Sequence, residues 1–127
     1  MEAFADVLAV GGRSNSPGRS AEVATAVLAD PGRVRELLDC AYDEDARVRM
    51  RAMDVLEKVG RQDPAVVEPL VEEMLPRLTG SEQASVQWHL AQLLRVVRLT
   101  GAQQQTSLPW LRSRVATPDA DWIARSR

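Results

Sequence analysis

Between Asp45 and Gly60 the apolar side chains Val48, Ala52, Val55, Leu56 and Val59 recur at three- and four-residue spacing, while Asp54, Glu57 and Lys58 fall off that stripe. At about 100° per residue this is the buried face of an amphipathic helix, and Gly60 supplies its stop. The same spacing predicts a helix opening at Asp63 and Pro64, an N-cap and a first-turn proline, and running through Val67, Leu70, Val71, Met74, Leu75 and Leu78 to Gly80. Pro69 and Pro76 are expected to kink it. Ser81 and Glu82 open the next helix, along Val86, Leu90, Leu93, Leu94 and Val97, which ends before Gly101. A weaker helix is expected from about Gln104 to Ala116, broken by Pro109, and Thr117, Pro118 and Asp119 turn the chain into a last one at Ala120. Upstream, Ser20 to Ala29 and Arg33 to Tyr42 read as two helices separated by Asp30, Pro31 and Gly32. Gly11 to Gly18 reads as a loop, and the short apolar run before it, from Ala3 to Val10, has no assigned place. No stretch alternates with the period of two of a half-buried strand, so the expected class is all-α.

The chain also resembles itself. Asp43, Val48, Arg49 and Leu56 recur at a step of about 38 residues as Ser81, Val86, Gln87 and Leu94, and one more such step brings Asp119, Ala124 and Arg125. A period of about 40 residues that holds two helices is the mark of an α-solenoid, in which each helix pair buries its stripes against its neighbours. The segment DEDARVRMRAMDVLEKVG, from Asp43 to Gly60, resembles the second half of a HEAT repeat, and the resemblance extends from about Ala21 to the end of the chain. It implies a short right-handed α-solenoid of antiparallel helix pairs of the armadillo type. It divides the single domain into 1–19, a helix and loop, 20–42, the helices of a first repeat region, 43–80 and 81–118, two repeat units, and 119–127, the start of an incomplete further repeat. In HEAT repeats the turn aspartate and the arginine six residues on form a ladder between repeats. Asp43 with Arg49 and Asp119 with Arg125 match that spacing, and Ser81 with Gln87 interrupts it. A solenoid normally covers its last apolar face with a polar cap, so the abbreviated final repeat raises the expectation of a longer parent chain or of self-association through that end.

Composition narrows the functions. The 127 residues are 45% hydrophobic and 27% charged with a net charge of −2, which fits one folded domain and excludes a disordered tail. Cys40 is the only cysteine, so neither an intrachain disulfide nor a cysteine-built zinc site can form, and a reducing cytoplasm is the expected location. No export or membrane-spanning segment is visible. None of the phosphate-cradling, dinucleotide-binding, zinc-protease or nucleophile-elbow motifs occurs, and no cofactor or metal is expected.

The resemblance to HEAT repeats places the binding face on the second helix of each pair, the concave side. Setting Val48 at zero puts Arg47, Met50, Asp54 and Glu57 opposite the apolar stripe, with Arg51 on its flank. One period later Ser85, Trp88, Gln92 and Arg95 take the outward positions, and His89 stands level with Arg51. Arg47, Met50, Arg51, Asp54, Trp88, His89, Gln92 and Arg95 are the expected partner-binding set. Trp88 is its least ordinary member: an outward tryptophan either meets a neighbouring element or offers an anchor to a partner. His89, the only histidine, has no orienting partner or second metal ligand near it in sequence and reads as a solvated or hydrogen-bonded side chain, and Cys40 reads as a small core residue. The implied function is a non-catalytic scaffold or adaptor for a protein partner. The alternative is a nucleic-acid binder related in architecture to HEAT-like alkylpurine DNA glycosylases, with Trp88, Asp119, Asp121 and Trp122 supplying the residue types. The acidic balance of residues 1–80 argues against that, although residues 81–127 carry a basic excess.

Overall fold

The strongest stripe in the sequence becomes the centre of the core. In the computed structural model, which describes residues 2–10 and 18–116 and only the backbone of 114–116, the elements are α1 (Phe4–Ala9), α2 (Ser20–Ala29), α3 (Val34–Cys40), α4 (Ala46–Gln62), α5 (Pro64–Val67), α6 (Val71–Leu78), α7 (Ala84–Leu94) and α8 (Gly101–Ala116). Short 3-10 turns at Pro31–Arg33 and Glu68–Leu70 join α2 to α3 and α5 to α6, and no strand occurs among the described residues. The protein is all-helical.

Ala52, Val55, Leu56 and Val59 of α4 are wholly buried. Helix α4 packs against α2 and against α7, while α1 lies on α3 and α6 on α8. Arg35 of α3 reaches Glu73 of α6 through both guanidinium nitrogens, and Tyr42, whose hydroxyl also lies on Glu73, carries Arg77 over its ring at 3.4 Å. The run from Ala3 to Val10 finds its place as α1: Phe4, Val7 and Leu8 are buried, and the Phe4 N–H donates to the Glu36 carboxylate at 2.8 Å.

Two turns set how α4 and α7 begin. Asp43 Oδ1 accepts the Asp45 N–H at 2.9 Å, and Asp45 then caps α4 by accepting the Arg47 N–H at 2.8 Å. In the matching turn before α7, Ser81 Oγ accepts the Gln83 N–H at 3.2 Å, and Gln83 precedes the helix with φ −79° and ψ 116°, against −81° and 118° at Asp45. Both residues hold the extended backbone of an N-cap.

Four boundaries differ from the sequence reading. Helix α4 continues through Gly60, its expected stop, to Gln62. The helix expected from Asp63 to Gly80 is interrupted at Glu68–Leu70, where Pro69 withholds its N–H, whereas Pro76 sits within α6 without ending it. Helix α7 stops at Leu94 rather than near Leu99. Helix α8 starts at Gly101, not Gln104, and passes through Pro109 unbroken. Its start is a capping box: Thr100 Oγ1 accepts the Gln103 N–H at 3.1 Å, and Gln103 Oε1 accepts the Thr100 N–H at 3.0 Å. The expected loop at 11–17 and the last helix from Ala120 lie outside the described residues.

Glycine is required at one turn and at one helix crossing. Gly18 adopts φ +54°, and a Cβ there would stand 2.9 Å from the Val10 carbonyl oxygen and 3.0 Å from the Arg51 guanidinium carbon. At Gly60 a Cβ would stand 2.6 Å from Leu93 Cδ1, so this glycine sets how closely α4 approaches α7.

Candidate functional site

The crossing of α4 and α7 collects most of the expected site residues, and it divides them into an open ridge and a covered flank. Arg47, Met50 and Asp54 on α4 are half-buried, as is Trp88 on α7, and Arg95, just past the end of α7, is exposed. Arg51 and His89, expected on the flank of the stripe, and Glu57 and Gln92, expected on the outward face, are all buried. The reason is geometric. A helix packed between two neighbours is covered over a wider arc than one lying on a single surface, so positions on the flank of the apolar stripe are closed by the next helix.

Arg51 shows what that closure does. Its guanidinium donates to the Leu8 carbonyl at 2.7 Å and the Val10 carbonyl at 3.1 Å, so it binds the carbonyl-rich end of α1. Burial, and then the nearby charge of Arg47, lower its pKa from the ordinary arginine value. It is a tie between elements, with no surface to offer.

His89 occupies the equivalent position on α7 and points back at α4 in the same way. Its Nδ1 lies 2.9 Å from Glu57 Oε1, and the other Glu57 oxygen accepts from Arg61 Nε at 2.9 Å. Burial pushes the Glu57 carboxyl up, but the hydrogen bonds from His89 and Arg61 outweigh it and hold the pKa below the usual value. An ionised carboxylate only accepts, so Nδ1 is the nitrogen that carries the proton. A carboxylate-oriented histidine is half of a general-base device, and a nucleophile or second ligand would have to complete it. Ser85, one turn earlier, receives Gln83 Nε2 at 3.0 Å instead. Among the described residues no group of three or more His, Cys, Asp or Glu side chains could hold a metal ion. Cys40 is buried, donates weakly to the Glu36 carbonyl at 3.4 Å, and has its thiol pushed up to about 12 by burial and then by the surrounding carboxylates.

Trp88 is covered in part only, and its ring meets the His89 ring edge-on at 4.6 Å between centroids. Its Nε1 is shielded from solvent without a hydrogen-bond partner among the described residues, an arrangement that costs about 1 to 3 kcal/mol. The ridge around it is charged but balanced on α4, where Asp54 pairs with Lys58 at 2.9 Å and Glu57 with Arg61 at 2.8 Å. Among the described residues Arg95 meets only the Gln92 amide oxygen, at 3.5 Å.

The expected ladder takes a different form. Arg49 Nη1 donates to the Asp43 main-chain carbonyl at 2.6 Å, not to its carboxylate, and Nε donates to Gln83 Oε1 at 2.8 Å, while Gln83 Nε2 returns to the Ala46 carbonyl at 2.8 Å. The Asp43 carboxylate is already spent on the turn N–H of Asp45. Gln87, where a charged rung is missing, repeats the bond six residues back: its amide donates to the Ser81 carbonyl at 2.7 Å, to those of Leu78 and Thr79, and it accepts from Trp110 Nε1 at 2.8 Å. The Asp119–Arg125 rung, Asp121 and Trp122 lie outside the described residues.

Fold and site together define an all-helical chain with a charged, tryptophan-bearing ridge and a buried Glu–His pair beneath it. No family model, no curated protein and no solved structure matches the chain. Among the described residues no helix is long and apolar enough to cross a membrane.

Proposed function

We propose that this chain is a short HEAT-like α-solenoid acting as a non-catalytic scaffold that holds a protein partner along the ridge of α4 and α7. The observation that carries the reading is Trp88: a half-covered ring on α7, the helix packed against α4, whose shielded Nε1 has no hydrogen-bond partner among the described residues. Large aromatics of that kind serve as central anchors of protein interfaces, with polar and charged residues around them. The repeat architecture is supported by the turns at Asp43–Asp45 and Ser81–Gln83, which share backbone angles and hydrogen bonds at equivalent points of the two repeat units. It is supported as well by the Arg49–Gln83 bridge between them and by the packing of α4 between α2 and α7. The binding set on this reading is Arg47, Met50, Asp54, Trp88 and Arg95, with Arg51, His89 and Gln92 holding the helices that present it.

The experiment is affinity capture from the native lysate with wild type and Trp88→Ala in parallel, followed by reassembly of the captured protein with the purified chain. The expected result is a nuclease-resistant partner whose binding weakens at least tenfold in the variant. Trp88→Phe removes the unpartnered N–H and keeps most of the ring, so the free protein should be unchanged or up to about 1 kcal/mol more stable in urea. A destabilisation of about 3 kcal/mol or more on Trp88→Ala, of the size of a core truncation, would instead make the ring structural. Recovery that nuclease abolishes would replace this reading with nucleic-acid binding.

A further inference from the structure

The distribution of matched and unmatched charge on this ridge specifies its partner further. We infer that the ridge of α7 takes an acidic polypeptide segment, one that sets an apolar side chain against Trp88 and a carboxylate against Arg95. The inference deepens the scaffold reading and rests on it.

The acids of α4 and its N-cap already have partners: Asp45 lies 3.9 Å from Arg47, Asp54 pairs with Lys58, and the buried Glu57 pairs with Arg61 and is hydrogen-bonded to His89. Helix α7 and the segment after it are different. Between residues 81 and 116 the only acid is Glu82, against Arg95, Arg98, Arg112 and Arg114. Arg95 is exposed, and among the described residues its guanidinium meets no carboxylate, only the Gln92 amide at 3.5 Å. An incoming anion therefore finds a cation without a carboxylate partner and no acid on α7 beyond Glu82 before it, while Glu68 and Glu72 bring carboxylates to the Arg98 N–H and to Gln103 after it and the whole chain is net acidic.

Trp88 and Arg95 are seven residues apart, which brings them to nearly the same side of the helix. Arg95 keeps helical backbone angles, φ −79° and ψ −21°, so the phase holds past the last residue of α7. At about 1.5 Å per residue the two stand roughly 10 Å apart along the axis, the length of about three residues of extended peptide. An aromatic anchor at one end and a planar, multi-donor cation at the other match an apolar and an acidic residue at that spacing. Gln92 lies between them, buried, with its amide oxygen turned toward Arg95.

The test is selection of a randomised 15-residue peptide library on the immobilised full chain, in parallel with Arg95→Glu, Arg95→Gln, Trp88→Ala and Arg112→Glu. Arg95 is exposed, so its variants should retain the wild-type helical circular dichroism and urea midpoint. The expected outcome is enrichment of Asp and Glu with an apolar residue about three positions away. The selected peptides should bind at least tenfold more weakly to Arg95→Glu, several-fold more weakly to Arg95→Gln and several-fold more weakly between 50 and 300 mM salt, with Arg112→Glu unchanged. Peptides that depend on Trp88 but are not acidic would overturn this inference and leave the scaffold reading standing. Absence of any Trp88-dependent peptide would overturn both. Equal losses with Arg95→Glu and Arg112→Glu would reduce the effect to diffuse positive charge, and tighter, Arg95-dependent binding of a 20-nucleotide DNA than of any peptide would assign the ridge to phosphates.

Discussion

Glu57 is the side chain whose charge ties α4 to α7, and its environment fixes how that tie responds to acid. Its carboxyl titrates lower in the folded protein than the roughly 4.3 of an unfolded chain. The stability it contributes is therefore complete above that value and disappears as the pH falls through the lower, folded one. Glu57→Gln should lower the urea midpoint at pH 7, and the gap from wild type should close as the buffer is taken below about pH 4; equal midpoints throughout would mean that the pair adds no net stability. Gln87 works by a different rule, because its amide donates to three main-chain carbonyls and accepts from Trp110. Gln87→Glu cannot donate when ionised, and it places a charge against those oxygens. The expected loss is about 2 to 4 kcal/mol at neutral pH, checked by denaturant unfolding against the smaller loss expected in mild acid.

The helices show why some of this is legible in the sequence and some is not. The stripe of α4 can be read directly because its apolar residues keep one phase over about three turns, and those at positions 52, 55, 56 and 59 are all closed to solvent. Helix α8 has no such phase, and Pro109 suggests a break, yet Thr100 and Gln103 carry a capping-box spacing that marks its true start. The Glu57–His89 pair is beyond reach: its members are 32 residues apart, and their meeting depends on the register of two helices. A single-helix projection puts Arg51 and His89 on the flank of the apolar stripe, and it does not show that a neighbouring helix covers that flank. That register is set at the Gly60 crossing. Gly60→Ala adds helix propensity, worth about 1 kcal/mol, but drives a methyl into Leu93. The net result should be a loss of about 1 to 3 kcal/mol in urea unfolding, partly recovered by Leu93→Val in the same chain. An unchanged midpoint would show that the Leu93 side chain swings aside at no more cost than the helix propensity gained.

For the molecule as a whole, α1 is held by backbone bonds whose partners lie elsewhere: the Phe4 N–H on Glu36, and the Leu8 and Val10 carbonyls on Arg51. A six-residue helix has little stability of its own, so these ties and the burial of Phe4, Val7 and Leu8 keep it in place. Arg51→Ala should cut both carbonyls loose at a cost on the order of 3 kcal/mol, with early amide exchange at Val7 and Leu8 as its signature. The dependence also runs the other way, since the carbonyls at the end of that short helix are what greet the guanidinium inside the fold. Anyone shortening this protein at its front, or stitching it behind another, is handling the stopper of a bottle. Lift that front segment away and a cation buried in the fold must draw water in to replace the two carbonyls it has lost. The trimmed chain should then bind hydrophobic dyes and elute larger than its full-length counterpart at equal concentration.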